Sequence, residues 1–306
     1  MVKKCLKILC EPWRLAASAK LHFVSKLLPD KLYLYCMYRT YVGGKPNFDS
    51  PVTYNEKLQW LKLHDRDTRY IGMVDKYEAK RFAAERIGEG HIVKTYGVWN
   101  SFDEIDFDSL PNSFVLKCTH DSAGNVICRD KSTFDRRAAE KKIKFCHSRN
   151  YFYMGREWVY KNIPPRIIAE EYMEDSTLGE LRDYKFFTFG GKARFMHLVS
   201  NRQNKDEATY GDFFDMEYNH MELTMGHDNA PIMPEKPKNF ELMKKYAEIL
   251  SEGNVHLRVD FYEVNGRLYF GELTFFQDSG FADIQPKSLD TELGGLIDLS
   301  LCKTEN

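Results

Sequence analysis

Residues 258–276, RVDFYEVNGRLYFGELTFF, constrain the fold of this chain more than any other segment. Two strand-like runs flank Asn265-Gly266, a dipeptide that favours a hairpin turn. Each run carries one carboxylate among apolar neighbours, Asp260 in the first and Glu272 in the second. Burying such an acid is costly unless it is paired or ligates a cation. Carboxylate oxygens suit Mg²⁺, whose coordination substrate phosphates often complete. The alternative is a hairpin whose acids face solvent.

The metal hypothesis makes a demand on the geometry of this hairpin. Directly opposed residues point to the same face of a sheet, and that face alternates along each strand. A two-residue turn in a regular hairpin would place Asp260 opposite Gly271 and send Glu272 to the other face. A three-residue loop or one bulge brings both carboxylates to a common face. The metal site therefore predicts an irregular hairpin.

Composition excludes several classes of protein. Of 306 residues, 43% are hydrophobic and 14% aromatic, which indicates a folded protein large enough for two lobes or one domain with an extension. The net charge of −1 argues against nucleic acid as a partner. Seven cysteines without a C-x-x-C pair indicate neither a zinc ribbon nor a disulfide framework, and favour a reducing cytoplasm. We find no transmembrane run and no secretory signal.

The N-terminal segment is locally basic. Residues 1–40 read as a helical region in which apolar and basic side chains alternate. One interpretation is an interfacial helix at the cytoplasmic face of the inner membrane, which would be a peripheral association. The other, which we favour, is a helix that packs on the body of the protein. It predicts that Trp13, Leu21 and Val24 are mostly buried.

Helices precede strands along the rest of the chain. Thr53 is predicted to cap a helix in a capping box with Glu56. Further helices are predicted over 75–87, opened by Asp75, over 133–148 and over 239–252. Strands are predicted over 114–118, 125–130, 166–173, 183–190 and the following KARFMHLVS. Residues 202–236 are polar and are predicted to be irregular, as in a functional loop or lid.

A second candidate site follows the strand that ends at Lys117. The sequence KCTHDSAGN, 117–125, joins two strands through small residues, and such a loop can cradle phosphates with backbone N–H groups and one ammonium. Many ordinary hairpins share this composition, so the signal alone is weak. A Walker motif is absent, because GEGHIVKT has Val93 where a glycine must precede the lysine. His120 is the only histidine that we place inside a candidate site.

The strand that ends in Glu170-Glu171-Tyr172-Met173 has two interpretations. Its acids can be solvated at a strand terminus. Alternatively, the strand edge meets adenine through backbone groups and Asp183 takes the ribose hydroxyls. The residues alone do not decide between them.

Taken in order, these segments resemble the ATP-grasp superfamily, and most closely its TupA-like branch, which is associated with surface-polysaccharide clusters. The segments are DK (75–76), VLK with the small-residue loop (115–125), AEEYM (169–173), DYK (183–185), RVD (258–260) and GELTF (271–275). The resemblance runs from about Leu28 to Leu299. Its most specific stretches are LPDKLYLYCMYR, TYNEKLQWLKL, DKYEAKRF and FGELTFFQDSGF.

The resemblance implies an α+β fold in which two α+β lobes with mainly antiparallel sheets clasp ATP. It implies an N-terminal helical extension over 1–50, an N-terminal subdomain over 51–110, a small lid subdomain with the phosphate-binding hairpin over 111–175, and a C-terminal ATP- and Mg²⁺-binding subdomain over 176–306.

The resemblance also implies residue roles. The catalytic residues would be Lys76, Lys117 and Arg258. ATP would be bound by Lys76, Lys117, Ser122, Gly124, Glu170, Glu171, Tyr172, Met173, Asp183 and Lys185. Mg²⁺ would be held by Asp260 and Glu272, and substrate would be contacted by Arg202, His120 and Ser279.

Two departures from the family pattern stand out. The family loop usually reads KCNHGSG, whereas Thr119, Asp121 and Ala123 stand here. An aspartate beside polyphosphate would add unfavourable charge. Thr274 replaces an asparagine that serves many ATP-grasp enzymes as a metal ligand, although threonine is common in this branch.

The expected function is that of a cytoplasmic ATP-dependent carboxylate–amine ligase that forms an acyl phosphate during bacterial surface-polysaccharide synthesis. Its partners would be a small-molecule carboxylate and an amine or sugar-linked acceptor. Arg202, at the end of a strand, would hold the substrate carboxylate, and residues 200–236 would line one side of the cleft; the alternative is a solvated connector.

Two other functions stay open. A glycosyltransferase would need a D-x-D motif, which occurs here as Asp106-Phe107-Asp108 and Asp65-Arg66-Asp67. The altered loop also leaves room for a non-catalytic nucleotide-binding protein.

Overall fold

The computed structural model describes residues 26–122, 124–176, 178–201 and 208–303. The predictions made for Trp13, Leu21 and Val24, and for Arg202, therefore lie outside the described residues.

Helices flank and separate two main antiparallel sheets, which confirms the predicted α+β class. The helices are α1 Asp30–Tyr41, α2 Tyr54–His64, α3 Arg69–Val74, α4 Glu78–Ile87, α5 Arg136–His147, α6 Phe152–Gly155, α7 Phe240–Ser251 and α8 Lys287–Gly295. None of the helices in these described ranges has the length and apolar character needed to cross a membrane.

The larger sheet has six strands in the order β11-β10-β5-β6-β7-β8, and every neighbouring pair is antiparallel. Its strands are β5 Asp183–Phe189, β6 Lys192–Ser200, β7 Tyr210–Asp215, β8 His220–Met221, β10 His256–Val264 and β11 Arg267–Thr274. Two short strands, β9 Thr224–Met225 and β12 Ile284–Gln285, pair with each other.

The main core includes residues on both faces of this sheet. Helix α7 packs on one face through buried residues spaced three and four apart, Phe240, Met243, Ala247 and Leu250. The ring of Phe240 lies 5.6 Å from that of Phe186 on β5. Burying each of these large side chains contributes roughly 1.5–3 kcal/mol. Because side chains alternate along a strand, the residues on either side of Phe186 project from the opposite face.

The smaller sheet has four strands in the order β1-β4-β2-β3. They are β1 Thr95–Trp99, β2 Phe114–Cys118, β3 Val126–Cys128 and β4 Ile167–Glu171. Helix α5 covers it through Ala139, Ile143 and Cys146, which form a separate core with Phe114 and Leu116. The loop that follows Lys117 thus belongs to a small unit with its own core.

Several local predictions are confirmed. Thr53 and Glu56 form the capping box of α2. The Asp75 carboxylate accepts from the backbone N–H groups of Tyr77 and Glu78 at the start of α4.

The prediction that 202–236 is irregular is wrong in part, because strands β7, β8 and β9 lie within it. Phe213 and Phe214 of β7 are fully buried. This short apolar run carries the strand although its neighbours in the sequence are polar.

Candidate functional site

The hairpin of β10 and β11 has the predicted irregularity. Asp260 pairs directly with Glu272, while Phe261 pairs with Phe270, so Gly271 is an extra residue on β11. A Cβ atom on Gly271 would lie 3.0 Å from the backbone oxygen of Asp260, and the bulge therefore needs glycine here. The two carboxylates consequently lie on one face of the sheet.

Arg258 joins these carboxylates. Its Nη2 donates to Asp260 Oδ2 at 2.7 Å and to Glu272 Oε1 at 2.8 Å, and its Nε donates to Asp260 Oδ1 at 2.6 Å. The two oxygens that bond Nη2 are therefore at most about 5.5 Å apart. The common face is confirmed, and Mg²⁺ binding by the two carboxylates stays a prediction. The guanidinium itself lies between the carboxylates and also donates to Gln277.

Lysines neutralise the same group of acids. Lys185 Nζ lies 2.6 Å from Asp260 Oδ2 and 3.7 Å from Asp183, and Lys76 Nζ lies 3.8 Å from Glu272 Oε2. Burial opposes ionisation of Glu272, but nearby cations, led by Lys76, outweigh it and lower its pKa to about 2. Glu272 is thus anionic at neutral pH, and both carboxylates are paired with cations that could also bind phosphate.

Glu170 lies at the other side of this cleft and is 4% exposed. Lys117 Nζ is 2.5 Å from its Oε2, and Lys80 Nζ is 2.6 Å from its Oε1. Burial would raise the pKa of Glu170, but Lys117 and Lys80 lower it to about 2. Lys117 also lines the same cavity as Asp260 and Glu272, which confirms the direction predicted for its side chain.

Two adjoining cavities make up the cleft. One, of about 500 Å³, is mostly polar and is lined by Lys76, Lys117, Ser122, Arg258, Asp260 and Glu272, among others. The other, of about 280 Å³, has apolar walls that include Val93, Val115, Ile127, Leu181 and Phe270. Glu171, Tyr172 and Met173 line the second cavity, and Asp183 and Glu170 line both. A polar cavity next to an apolar slot suits a ligand with phosphates at one end and a planar base at the other.

The loop after Lys117 is anchored from below. Asp121 is 1% exposed, and its Oδ2 accepts from Arg149 Nη2 at 2.5 Å. The backbone N–H of Lys76 donates to the Thr119 carbonyl at 3.1 Å. The prediction that Asp121 would place unfavourable negative charge beside the phosphates is therefore wrong, because Asp121 is buried in an ion pair with Arg149. Its carboxylate is not among the cavity-lining groups.

The other contacts predicted for this loop have different outcomes. Ser122 lines the polar cavity. A Cβ atom on Gly124 would lie 3.0 Å from that of Cys146, so this glycine permits close packing of the loop on α5. His120 is 3% exposed, with its ring 5.8 Å from that of His147, and it does not line the cleft. The structure thus corrects the assignment of His120 as a substrate contact, because its ring is buried beneath the loop.

Ser279 needs a similar correction. Its hydroxyl donates to buried Glu157 at 2.5 Å, and it does not line the cleft. Asp278 and Ser279 adopt left-handed backbone angles, with φ of 46° and 53°. The neighbouring Gln277 and Asp278 line the cavity instead.

The sequence did not reveal several residues of the cleft. Lys80 donates to Glu170, and His197 lies in the polar cavity with Met225 and His227. Met225 and His227 support the expectation that part of 200–236 lines the cleft. His197 had no sequence signal, because a bulge in the β5–β6 hairpin shifts the register and brings it opposite Lys185.

The D-x-D sequences lie elsewhere. Asp106 accepts from Asp108 N–H in an exposed turn, and Asp67 pairs with Arg69 beyond α2. Neither sequence contributes to the lining of the polar cavity.

The donor set fits Mg²⁺ only in part. In the described part of the chain no group of three or more His, Cys, Asp or Glu side chains could hold a metal ion. Asp260 and Glu272 supply two hard oxygen ligands on one face of the cleft. Such a pair suits Mg²⁺ when substrate phosphates complete the coordination.

Comparison with known proteins gives one family. The family described as TupA-like ATPgrasp matches residues 56–298, most of the chain. No curated protein matches this chain.

Several solved structures are similar to the chain at low identity. D-alanine–D-alanine ligase from Bacillus anthracis complexed with ATP is 16% identical with a TM-score of 0.40, over 66% of this chain and 55% of that one. The Helicobacter pylori enzyme is 13% identical with a TM-score of 0.45, over 80% and 69%. N5-carboxyaminoimidazole synthetase from Staphylococcus aureus is 14% identical with a TM-score of 0.37, over 66% and 44%. The chain thus spans little more than half of the first of these ligases.

Proposed function

The chain belongs to the TupA-like ATP-grasp family, and on that premise we propose that it is an ATP-dependent carboxylate–amine ligase. The observation that carries the proposal is the convergence of Lys76, Lys117, Arg258, Asp260 and Glu272 on one polar cavity that opens into an apolar one. Phosphoryl transfer depends mostly on positioning and on charge stabilisation, and these residues supply both.

ATP would lie across the two cavities. The apolar walls would take adenine, with the β4 edge at Glu170–Met173 beside it, and Asp183 would take the ribose hydroxyls. The phosphates would then extend to Lys76, Lys117 and Lys185. Ser122 and Gly124 belong to the loop that would cover them.

Mg²⁺ would be held by Asp260 and Glu272 and would neutralise phosphate charge. Both oxygens of Asp260 already bond Arg258, and one also bonds Lys185. For this carboxylate to ligate a metal, at least one of these cations must turn towards the phosphates. Nucleotide and metal are therefore expected to bind together.

The reaction would proceed in two steps. A substrate carboxylate oxygen attacks the terminal phosphorus of ATP and ADP leaves, which gives an acyl phosphate. An amine then attacks the acyl carbon, the C–O bond to phosphate breaks, and inorganic phosphate departs with the electron pair. Lys76, Lys117 and Arg258 would stabilise the charge on the transferring phosphoryl group.

We place this activity in bacterial surface-polysaccharide synthesis, in the cytoplasm, with a small carboxylate and an amine or sugar-linked acceptor. Arg202 stays the proposed carboxylate contact. The four-part division into 1–50, 51–110, 111–175 and 176–306 stays a proposal as well. No observation favours a glycosyltransferase, since both D-x-D sequences lie away from the cavity.

The test is interception of the acyl phosphate. The protein is incubated with ATP, Mg²⁺, hydroxylamine and a panel of amino acids, hydroxy acids and uronic acids, and hydroxamate and ADP are measured. We expect at least one carboxylate to give hydroxamate and ADP in equal amounts. With that carboxylate labelled with ¹⁸O, one label should appear in inorganic phosphate when an amine replaces hydroxylamine. The proposal fails if no carboxylate in the panel gives hydroxamate.

Asp106→Asn is the matched control for the glycosyltransferase alternative. It removes one acid of an exposed D-x-D sequence, and we expect hydroxamate formation to stay unchanged. If the wild-type protein turned over a UDP-sugar without any carboxylate, and Asp106→Asn abolished that turnover, the result would favour the transferase.

A further inference from the structure

His197 is a buried histidine with no protein partner. It is 3% exposed, and within the described ranges neither ring nitrogen has a hydrogen-bond partner. Buried polar groups are nearly always hydrogen-bonded, because leaving one unpaired costs roughly 1–3 kcal/mol. Its ring stacks on Phe213, with centroids 4.1 Å apart and an interplanar angle of 4°. The ring is thus held in place by packing alone.

A second buried histidine of the same sheet shows the contrast. His256 is 2% exposed, and its Nδ1 donates to the Thr188 carbonyl at 2.8 Å. Its Nε2 then accepts from the Tyr54 hydroxyl at 3.0 Å. Both of its nitrogens are satisfied within the fold, as expected of a structural histidine. His197 lacks this pattern and needs a different explanation.

The position of His197 in the sheet supplies one. Glu272, Asp260, Lys185, His197 and Phe213 are directly opposed residues on five neighbouring strands. Directly opposed residues share a face, and the first four of this row line the polar cavity while Phe213 is fully buried. His197 lies beside Lys185 and lines the polar cavity of about 500 Å³. It extends this row of polar groups beyond Lys185.

Gly211 makes room for this imidazole. A Cβ atom on Gly211 would lie 2.6 Å from Nε2 and 3.5 Å from Cδ2 of His197. Gly211 lies within β7 and has no left-handed backbone angle that would itself call for glycine. The glycine therefore serves the ring.

The imidazole is neutral at neutral pH. Burial, together with the positive charges of Lys185 and Arg258, holds the pKa of His197 well below its usual value. A neutral imidazole carries one hydrogen and one lone pair, so it can accept a proton.

We propose that His197 marks the acceptor end of the cleft, where it contacts the attacking amine and takes its proton. The inference rests on the proposed ligase function. As the amine nitrogen bonds to the acyl carbon and phosphate leaves with the C–O electron pair, one N–H proton passes to the free ring nitrogen of His197. Proton transfer of this kind typically accelerates a step by about 10²–10⁴-fold. The acceptor class is therefore a small amine that fits beside Lys185 and over the His197 ring.

The experiment separates the two halves of the reaction in the intact protein. The variant is His197→Asn, and the control is His256→Asn in the same sheet. Hydroxamate formation is measured at saturating hydroxylamine, a strong nucleophile that is largely unprotonated at neutral pH and attacks an acyl phosphate readily, with its N–H proton passing to water. Amide formation is measured with a panel of amino acids and amino sugars, using the carboxylate that gives hydroxamate.

We expect His197→Asn to lower amide formation at least about 100-fold more than it lowers hydroxamate formation. His256→Asn should lower the melting temperature and leave the ratio of the two rates unchanged. If His197→Asn does not fold, Gly211→Ala displaces the ring without removing it and should change the ratio in the same direction.

Two outcomes contradict the inference in different ways. If His197→Asn and Gly211→Ala lower hydroxamate and amide formation to the same extent, or lower neither, His197 does not serve the acceptor. Absence of hydroxamate in the wild-type protein instead overturns the proposed function, and the acceptor role with it.

Discussion

Lys117 and Lys80 bond the same buried carboxylate, and the structure predicts opposite consequences of removing them. Lys117 is 22% exposed in its side chain, lines both cavities, and pairs with Glu170. Lys80 is 10% exposed in its side chain and also donates to the Val93 carbonyl at 2.8 Å and Thr95 Oγ1 at 2.9 Å. We therefore expect Lys117→Met to damage activity more than stability and Lys80→Met to do the reverse.

The magnitudes follow from the contacts. Lys117→Met removes one charged hydrogen bond from Glu170 and leaves Lys80 in place, at a cost of about 1.5–3 kcal/mol in unfolding free energy. That corresponds to a fall of roughly 2–5 °C in melting temperature for a chain of this length. Lys80→Met removes the ammonium that bonds the Val93 carbonyl, the Thr95 hydroxyl and one oxygen of Glu170, and should cost about 3–5 kcal/mol. Loss of one cation that stabilises the transferring phosphoryl group should lower kcat about 10²–10³-fold in Lys117→Met.

The assay combines urea denaturation with carboxylate-dependent ADP formation. Adding Glu170→Gln to Lys117→Met should lower stability further, because the buried Lys80 ammonium then loses its carboxylate partner. It should not restore ADP formation. The reasoning is refuted if Lys117→Met retains kcat within threefold, or if Lys80→Met lowers activity without lowering stability.

Three further predictions concern the same cleft. The pKa of Glu170 is lowered from 4.5 to about 2, so ionised Glu170 stabilises the fold fully above pH 4.5, and this contribution is lost as the pH falls towards 2. In acid denaturation, the stability difference between wild type and Lys117→Met should therefore shrink over the same pH range. Mg²⁺ alone should barely change the melting temperature, because Arg258 and the lysines already pair with the carboxylates. MgATP at 100 times its Kd should add about 2.7 kcal/mol to the unfolding free energy. An equally large stabilisation by Mg²⁺ alone would contradict the expectation that nucleotide and metal bind together. Asp121→Asn should raise the KM for ATP several-fold with little change in kcat, since Arg149 then anchors the loop less firmly; an unchanged KM would show that the anchor does not matter.

The carboxylate hairpin was predictable because its chemistry limits its geometry. Two acids in apolar strands need a common face, and a common face needs an irregularity. The bulge at Gly271 meets that requirement while Asn265-Gly266 still forms a two-residue turn. Local signals such as the capping box at Thr53 and the alternation in β2 were equally readable.

Other features depend on contacts between distant segments. Asp121 and Arg149 are 28 residues apart, and only the folded structure shows that the aspartate pairs with this arginine and does not line the cleft. Lys80 joins the site by reaching from α4 to Glu170 on β4. His197 comes beside Lys185 through a bulge that the sequence of β5 and β6 does not indicate. Strand β7 was not predicted, because its buried pair Phe213-Phe214 is too short an apolar run among polar neighbours.

Nucleotide binding by the cleft is the central claim, and calorimetric titration tests it most directly. ATP with Mg²⁺ is titrated into the wild-type protein and into Lys117→Met, with a UDP-sugar as the competing ligand. We predict saturable one-to-one binding of ATP, at least tenfold weaker in Lys117→Met, and no binding of the UDP-sugar. Failure of ATP to bind, or equal affinity in both proteins, would contradict the assignment of this cleft.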